Sequence, residues 1–109
     1  MTLRDALVSR GWSEWDARYP DAAFVGGDYS LKPNRHLSRE DFDRLRVRLS
    51  DILPTGCVVS DGQTKATVVR DAKGIPSLVL ADGKVVTRLG SSGAVAILFH
   101  EMGDLVIEH

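Results

Sequence analysis

The chain has 109 residues, of which 43% are hydrophobic and 27% charged, and this composition excludes a disordered chain. The formal net charge of −1 gives no overall attraction to nucleic acid or to an anionic membrane. The single cysteine, Cys57, excludes an intramolecular disulfide, and no apolar run approaches the roughly 20 residues of a membrane span. We therefore expect one cytoplasmic domain over residues 1–109, without membrane contact.

The first predicted element is a short helix. Thr2 is a suitable N-cap, because its hydroxyl can accept a hydrogen bond from a free N–H group of the first turn. Leu3, Ala6 and Leu7 then share one face, as in an amphipathic helix. Gly11 is expected to end this helix, since glycine readily adopts the left-handed conformation that follows many helices.

A second short helix is predicted immediately after Trp12. Ser13 and Asp16 have the spacing of a capping box, with aspartate in place of the usual glutamate, and Pro20 stops the helix. Trp12 precedes this cap, so we expect it to be partly exposed and name it as a candidate partner-binding residue. The alternative is a core role, which is the more common use of clustered aromatic residues.

The strongest helix signal covers residues 38–53. Residues 20–37 before it look irregular, with at most a short strand over 22–25. Ser38 is a good N-cap, and Pro54 marks the helix end. The apolar residues between them recur at helical spacing and form one stripe, namely Phe42, Leu45, Leu49, Ile52 and Leu53. This pattern predicts an amphipathic helix that packs on the rest of the domain.

Beyond Cys57 the pattern changes to the alternation of β-strands. Short runs rich in β-branched residues are separated by turns, among which Asp82-Gly83 is typical of a type I′ hairpin. The predicted strands are 57–60, 64–70, 75–80, 84–89, 94–100 and 104–108. Connections this short join antiparallel neighbours. The sequence therefore predicts an α+β fold, with two or three N-terminal helices packed on a C-terminal antiparallel β-meander of five to six strands.

Two features of the predicted sheet suggest a homodimer. The run 94–99 is apolar on both faces, so it is expected to lie centrally with both faces covered. The predicted helix covers one face, and the N-terminal helices, curvature of the sheet or a second copy of the chain could cover the other. The terminal strand 104–108 presents a possible free edge, which is a second way for two copies to pair.

Basic residues are concentrated between positions 31 and 48. They are Lys32, Arg35, Arg39, Arg44, Arg46 and Arg48. We expect Arg44 and Arg48 one turn apart on a helix flank, where they repel unless an anion bridges them. With Arg35, His36 and Arg39 just upstream, they are candidate binding residues for a phosphate, a nucleic-acid backbone or an acidic protein surface. The alternative is a solvated face neutralised by nearby acids, namely Glu40, Asp41, Asp43 and Asp51.

No catalytic residue, metal site or cofactor is predicted. His100 and Glu101 match only the beginning of the H-E-x-x-H zinc signature, and Asp104 stands where the second histidine belongs. A metal ion here would have His100, Asp104 and His109 as its candidate ligands. Cys57 lies in an apolar run, where a buried and unreactive thiol is expected.

Three functions are compatible with these features. The preferred one is a small non-enzymatic protein-binding module, such as an inhibitor, an immunity-type protein or an assembly subunit. A domain of this size can offer the roughly 800 Å² that a standard interface buries on each partner. The first alternative is a nucleic-acid-associated protein that uses the basic segment 32–48. The second alternative is a small enzyme or ligand-binding protein with a pocket between helix and sheet, whose candidate groups are His36, Asp28, His100 and Glu101.

Overall fold

The computed structural model describes residues 1–89 and 92–108, and within them the chain forms five helices and eight strands. The helices are α1 (Leu3–Val8), α2 (Glu14–Arg18), α3 (Arg39–Leu45), α4 (Leu49–Ile52) and α5 (Ser92–Met102). The strands are β1 (Pro20–Val25), β2 (Asp28–Pro33), β3 (Val47–Arg48), β4 (Val58–Ser60), β5 (Lys65–Arg70), β6 (Pro76–Leu80), β7 (Val85–Arg88) and β8 (Val106–Glu108). The predicted α+β class is confirmed.

The strands form two antiparallel sheets, with the orders β1-β2-β3 and β7-β6-β5-β4-β8. Strands β4 to β7 follow one another as a meander, but α5 then carries the chain back and β8 pairs beside β4. The outer edge of β8 lies against the N-terminus, where the N–H of Ile107 donates to the carbonyl of Met1 at 2.8 Å. The predicted free edge over 104–108 is therefore covered.

The run 94–100 lies in α5, so the prediction of a central strand there is wrong. An apolar run of this length does not distinguish a buried helix from a buried strand by its period. The buried side chains Val95, Leu98 and Phe99 follow helical spacing, whereas Ile97 is 54% exposed. Helix α5 packs on β1 and also contacts α1 and α2. Neither the two-sided apolar strand nor the free edge that suggested a homodimer is present in the part of the chain that the structure describes. The homodimer stays a prediction.

Residues 20–33 form a regular hairpin, where the sequence predicted one short strand in an irregular segment. Strands β1 and β2 pair along their whole length. Gly26 and Gly27 make the turn with φ values of 63° and 85°, which is the pair of left-handed conformations that a type I′ turn requires. The prolines at the strand ends, Pro20 and Pro33, obscured the strand pattern in the sequence.

The predicted helix over 38–53 is interrupted by a strand. Helix α3 ends at Leu45, β3 pairs with the centre of β2, and α4 resumes at Leu49. In a continuous helix Val47 would lie on the face opposite the apolar stripe, in solvent. The break places Val47 opposite Leu31 of β2, where only 6% of it is exposed. Burial of this side chain and new ladder hydrogen bonds explain the interruption.

The predicted helix starts are confirmed at three serine or threonine caps. The side chains of Thr2, Ser13 and Ser38 each accept a hydrogen bond from the backbone N–H three residues later. Asp16 departs from the expected capping box, because its carboxylate bonds Arg35. The hairpin at Asp82-Gly83 is also present, but its turn is not type I′. Only its glycine has positive φ (89°).

Trp12 is only 3% exposed, so the prediction of its partial exposure is wrong. Its indole Nε1 donates to the carbonyl of Leu45 at 2.7 Å, at the end of α3. Carbonyls in the last turn of a helix lack partners within the helix, and the indole supplies one. Trp15 is the exposed tryptophan at 69%, and its ring lies 4.5 Å from that of Tyr19.

The two sheets meet where their hairpin turns approach each other. Gly74, in the β5–β6 turn, has φ 87°, and a Cβ atom there would collide with the carbonyl oxygen of Gly27 in the β1–β2 turn. Nearby, burial and then the negative charge of Asp71 raise the pKa of the Tyr29 hydroxyl. The buried apolar side chains of both sheets and the helices form one contiguous core.

We expect Trp12→Phe to lower the free energy of unfolding by about 1–3 kcal/mol, because the buried carbonyl of Leu45 loses its donor. Trp15→Phe is the matched control, since that side chain is exposed and a change within about 0.5 kcal/mol is expected. Urea denaturation followed by circular dichroism measures both. Equal stabilities for the two variants would contradict the structural role of the indole.

We expect Gly74→Ala to destabilise the protein more than Gly83→Ala. Both glycines have left-handed φ, 87° and 89°, so the backbone penalty of roughly 1–2 kcal/mol is shared. A Cβ at Gly83 meets open space, whereas one at Gly74 meets the Gly27 carbonyl. The additional loss at Gly74, about 1–3 kcal/mol, measures the packing between the two turns. Equal losses in urea denaturation would show that the turns do not pack together.

Candidate functional site

Two adjoining depressions lie where the outer face of the three-stranded sheet meets α3. The first, here named the sheet pocket, has a volume of about 480 Å³ and is lined by Asp21, Ala22, Ala23, Val25, Ser30, Lys32, Phe42, Arg46 and Arg48. The second, the loop pocket, has a volume of about 370 Å³ and is lined by Lys32, Arg35, His36, Leu37, Arg39 and Phe42. Lys32 and Phe42 line both pockets, so the two adjoin each other, and together they are named the basic groove.

Strand pairing builds the floor of the sheet pocket. Ala23 of β1 is the register partner of Ser30 of β2, and Ser30 is in turn the partner of Arg48 in β3. Paired positions share one face of a sheet, so these three residues form a row across it. The two small side chains leave open space beside the long arginine. At the rim, Val25 is 65% exposed, which adds apolar surface.

Phe42 forms the wall shared by the two pockets. It is only half-buried, whereas the other members of the predicted stripe are buried in the core. The guanidinium carbon of Arg46 lies 5.7 Å from the centre of the Phe42 ring, within the range of a cation–π contact. The groove therefore combines an aromatic wall with positive charge directly above it.

Cations dominate the lining of the basic groove. They are Lys32, Arg35, Arg39, Arg46 and Arg48. Among the described lining residues the one acid is Asp21, which lies 3.4 Å from Lys32 Nζ. Arg48 faces Asp51 at 3.6 Å but is 70% exposed. Exposed ion pairs of this kind are weak, so Lys32 and Arg48 both remain available to a ligand.

Arg35 is anchored more firmly than the other cations. Its Nε donates to Oδ1 of Asp16 at 3.2 Å, and its Nη2 donates to Oδ2 at 3.2 Å. Asp16 lies on α2 and is only 5% exposed, so the carboxylate is held inside the protein. This hydrogen bond is also the main cause that raises the pKa of Arg35. The interaction joins α2 to the segment after β2 and fixes the guanidinium at the groove.

The structure brings together three of the four arginines predicted to bind a partner. Arg35 and Arg39 line the loop pocket, and Arg48 lines the sheet pocket. Arg44 lines neither and donates to Asp41 at 3.0 Å. The expectation that Arg44 and Arg48 share one helix flank is wrong, because α3 ends before Arg48. Trp12, the fifth candidate, lies in the core.

Two important groove residues were not singled out from the sequence. Phe42 was assigned to the core stripe, and Arg46 was counted only as part of the basic stretch. Their spacing of four residues was the available signal, because such residues are neighbours on a helix surface. The floor formed by Ala23 and Ser30 depends on the β1–β2 hairpin, which the sequence pattern did not reveal.

The groups considered for enzymatic chemistry are held at separate places. His36 lines the loop pocket. Asp28 accepts hydrogen bonds from the hydroxyl and N–H of Ser50, at 2.6 and 3.3 Å. His100 stacks on Tyr19 with ring centres 5.0 Å apart, and the fourth residue, Glu101, is exposed on α5. These positions do not form one catalytic group.

Within residues 1–89 and 92–108, no three His, Cys, Asp or Glu side chains are close enough to hold a metal ion. His109 lies outside the described residues. Burial raises the pKa of the half-buried Cys57 thiol, which makes it a poor nucleophile. In the same described part of the chain, every helix is too short or too polar to span a bilayer.

Comparison of the chain with protein-family models, with curated proteins and with solved structures finds no match. The geometry and charge of the basic groove are therefore the basis for assigning a function.

We expect the pKa of the Asp41 carboxyl to lie below that of an ordinary aspartate, first because Arg44 donates a hydrogen bond to it. Since the pKa is lower in the folded state, the ionised carboxylate stabilises the fold above the ordinary pKa. This contribution is lost as pH falls through the folded value. Carboxyl ¹³C NMR measures the titration. Arg44→Gln is expected to return the pKa toward the ordinary value, and an unchanged pKa would contradict the assignment.

Proposed function

We propose that the protein is a non-enzymatic protein-binding module that takes an acidic, extended segment of a partner protein into its basic groove. The observation that carries this proposal is the combination of a floor of small side chains, an apolar rim and an aromatic wall with five cations in the lining. Inhibitors, immunity-type proteins and assembly subunits all act by such binding, and the proposal covers these three roles.

The two pockets suit a peptide because they lie side by side and offer different kinds of contact to successive residues of an extended chain. The sheet pocket provides apolar surface from Ala23, Val25 and Phe42, where an aliphatic side chain of the partner can be buried. The flanking Arg46 and Lys32 are placed to bond carboxylates on either side of that residue. A segment that alternates acidic and apolar side chains matches this lining in both charge and polarity.

Nucleic-acid binding, the alternative that uses the same cations, fits the geometry less well. The net charge is −1, and nucleic-acid-binding domains are usually basic overall. Arg44 lies outside the groove, so the predicted row of cations along one helix is broken. Phe42 lies under Arg46, which leaves its ring poorly placed to stack on a base.

We expect a fluorescent peptide of Glu and Asp with one central Leu to bind the wild-type protein, as measured by fluorescence anisotropy. Arg46→Glu is expected to weaken binding about tenfold or more, because it replaces attraction by repulsion at the sheet pocket. Lys84→Glu is the matched control. It makes the same charge reversal at the exposed β6–β7 turn and should leave the affinity unchanged.

Equal loss of affinity in the Arg46 and Lys84 variants would contradict a specific site, since it would reflect net charge alone. Absence of peptide binding would also contradict the proposal. A single-stranded oligonucleotide that binds more tightly than the peptide, with an affinity that falls steeply as salt rises, would favour the nucleic-acid alternative.

A further inference from the structure

We infer that the loop pocket of the basic groove binds a phosphate group, and that the partner segment carries this group on a phosphorylated side chain. The inference rests on the proposed function for the identity of the partner. The phosphate site itself follows from the lining of the loop pocket.

The loop pocket has a lining that differs from that of the sheet pocket. Its polar side chains are Lys32, Arg35, His36 and Arg39, and the rest of its lining is the apolar pair Leu37 and Phe42. No carboxylate belongs to the described lining of this pocket. An anion inside it would therefore meet donors from several directions without direct repulsion from an acid.

Arg35 is oriented for a second anion. Asp16 occupies its Nε and one N–H of Nη2, at 3.2 Å each. A guanidinium has five N–H donors in a planar fork, so Nη1 and the second N–H of Nη2 remain as a second bidentate edge. Because the buried Asp16 holds the group in place, little side-chain freedom is lost when that edge binds a ligand.

Two acids near the loop pocket are already paired with cations, one of which, Lys32, lines the pocket itself. Asp21 lies 3.4 Å from Lys32, and Asp41 accepts a hydrogen bond from Arg44 at 3.0 Å. Arg39 forms no ion pair within the described part of the chain and is exposed at the start of α3. It is therefore the cation most available to a ligand in this pocket.

A phosphate monoester fits this set of donors better than a carboxylate does. It carries nearly two negative charges at neutral pH and three acceptor oxygens. Lys32 at the end of β2, Arg35 in the loop and Arg39 at the start of α3 can each bond a different oxygen of one tetrahedral group. A planar carboxylate carries only one negative charge on two oxygens, so it balances fewer of these positive charges and directs its acceptors into one plane.

The first measurement uses inorganic phosphate as the probe, titrated into ¹⁵N-labelled protein at constant ionic strength with chloride as the balancing anion. We expect saturable shifts of amide signals at Arg35, His36 and Arg39, which line the loop pocket. Shifts that do not saturate, or that equal those caused by chloride, would overturn the phosphate site.

The second measurement compares two acidic peptides that differ only at one position, phosphoserine in one and glutamate in the other. We expect the phosphopeptide to bind about tenfold more tightly, since the phosphate adds negative charge and a further acceptor oxygen for a charge-assisted hydrogen bond. Arg39→Gln should remove most of this difference, because it weakens the binding of the phosphopeptide more than that of the glutamate peptide. Lys84→Gln, at the β6–β7 turn, is the matched control and should preserve the difference.

The outcomes separate this inference from the proposed function. Equal affinity for the two peptides would overturn the phosphate inference while the protein-binding proposal stands. If neither peptide binds but inorganic phosphate causes saturable shifts, the phosphate site stands. The claim that a partner protein carries the phosphate is then overturned. A phosphate-dependent preference that survives Arg39→Gln would place the phosphate elsewhere and overturn the assignment to the loop pocket.

Discussion

The pairing of Val47 and Arg48 with the centre of β2 is the constraint on which the groove depends. It ends α3 at Leu45 and turns the chain into β3 directly after Arg46, whose guanidinium lies over Phe42. The same pairing places Arg48 beside the small floor residues of the sheet. A continuous helix through this segment would not pair with β2, and the sheet pocket would lose Arg48 from its lining.

This break has a small energetic cost because the backbone groups it frees find new partners. Strand β3 forms ladder hydrogen bonds with β2, and the end of α3 receives the indole N–H of Trp12. Burial of the valine side chain adds about 1.5–3 kcal/mol to the folded state. The interruption is thus stabilised by tertiary contacts, while helix propensity alone would favour continuing α3 into α4.

The same contacts determine which charges are free to bind. Arg44 pairs locally with Asp41, and its charge lies outside the groove, whereas Arg48 pairs only weakly with Asp51 and lines the groove. Arg35 is instead fixed by a carboxylate of α2, far from it in sequence. Ion pairs are thus distributed unevenly over the fold. The basic groove is a cluster of cations in a chain that is slightly acidic as a whole.

The sequence by itself determined the features that rest on neighbouring residues. Helix starts at Thr2, Ser13 and Ser38 were predictable because an N-cap bonds an N–H group only three residues away. The meander of β4 to β7 was predictable from alternating side chains and short turns. Only the tertiary structure decided the helical state of 94–100, the strand that interrupts 38–53 and the burial of Trp12. In each of these cases the deciding partner lies far along the chain, so burial and pairing with that partner outweigh local preference.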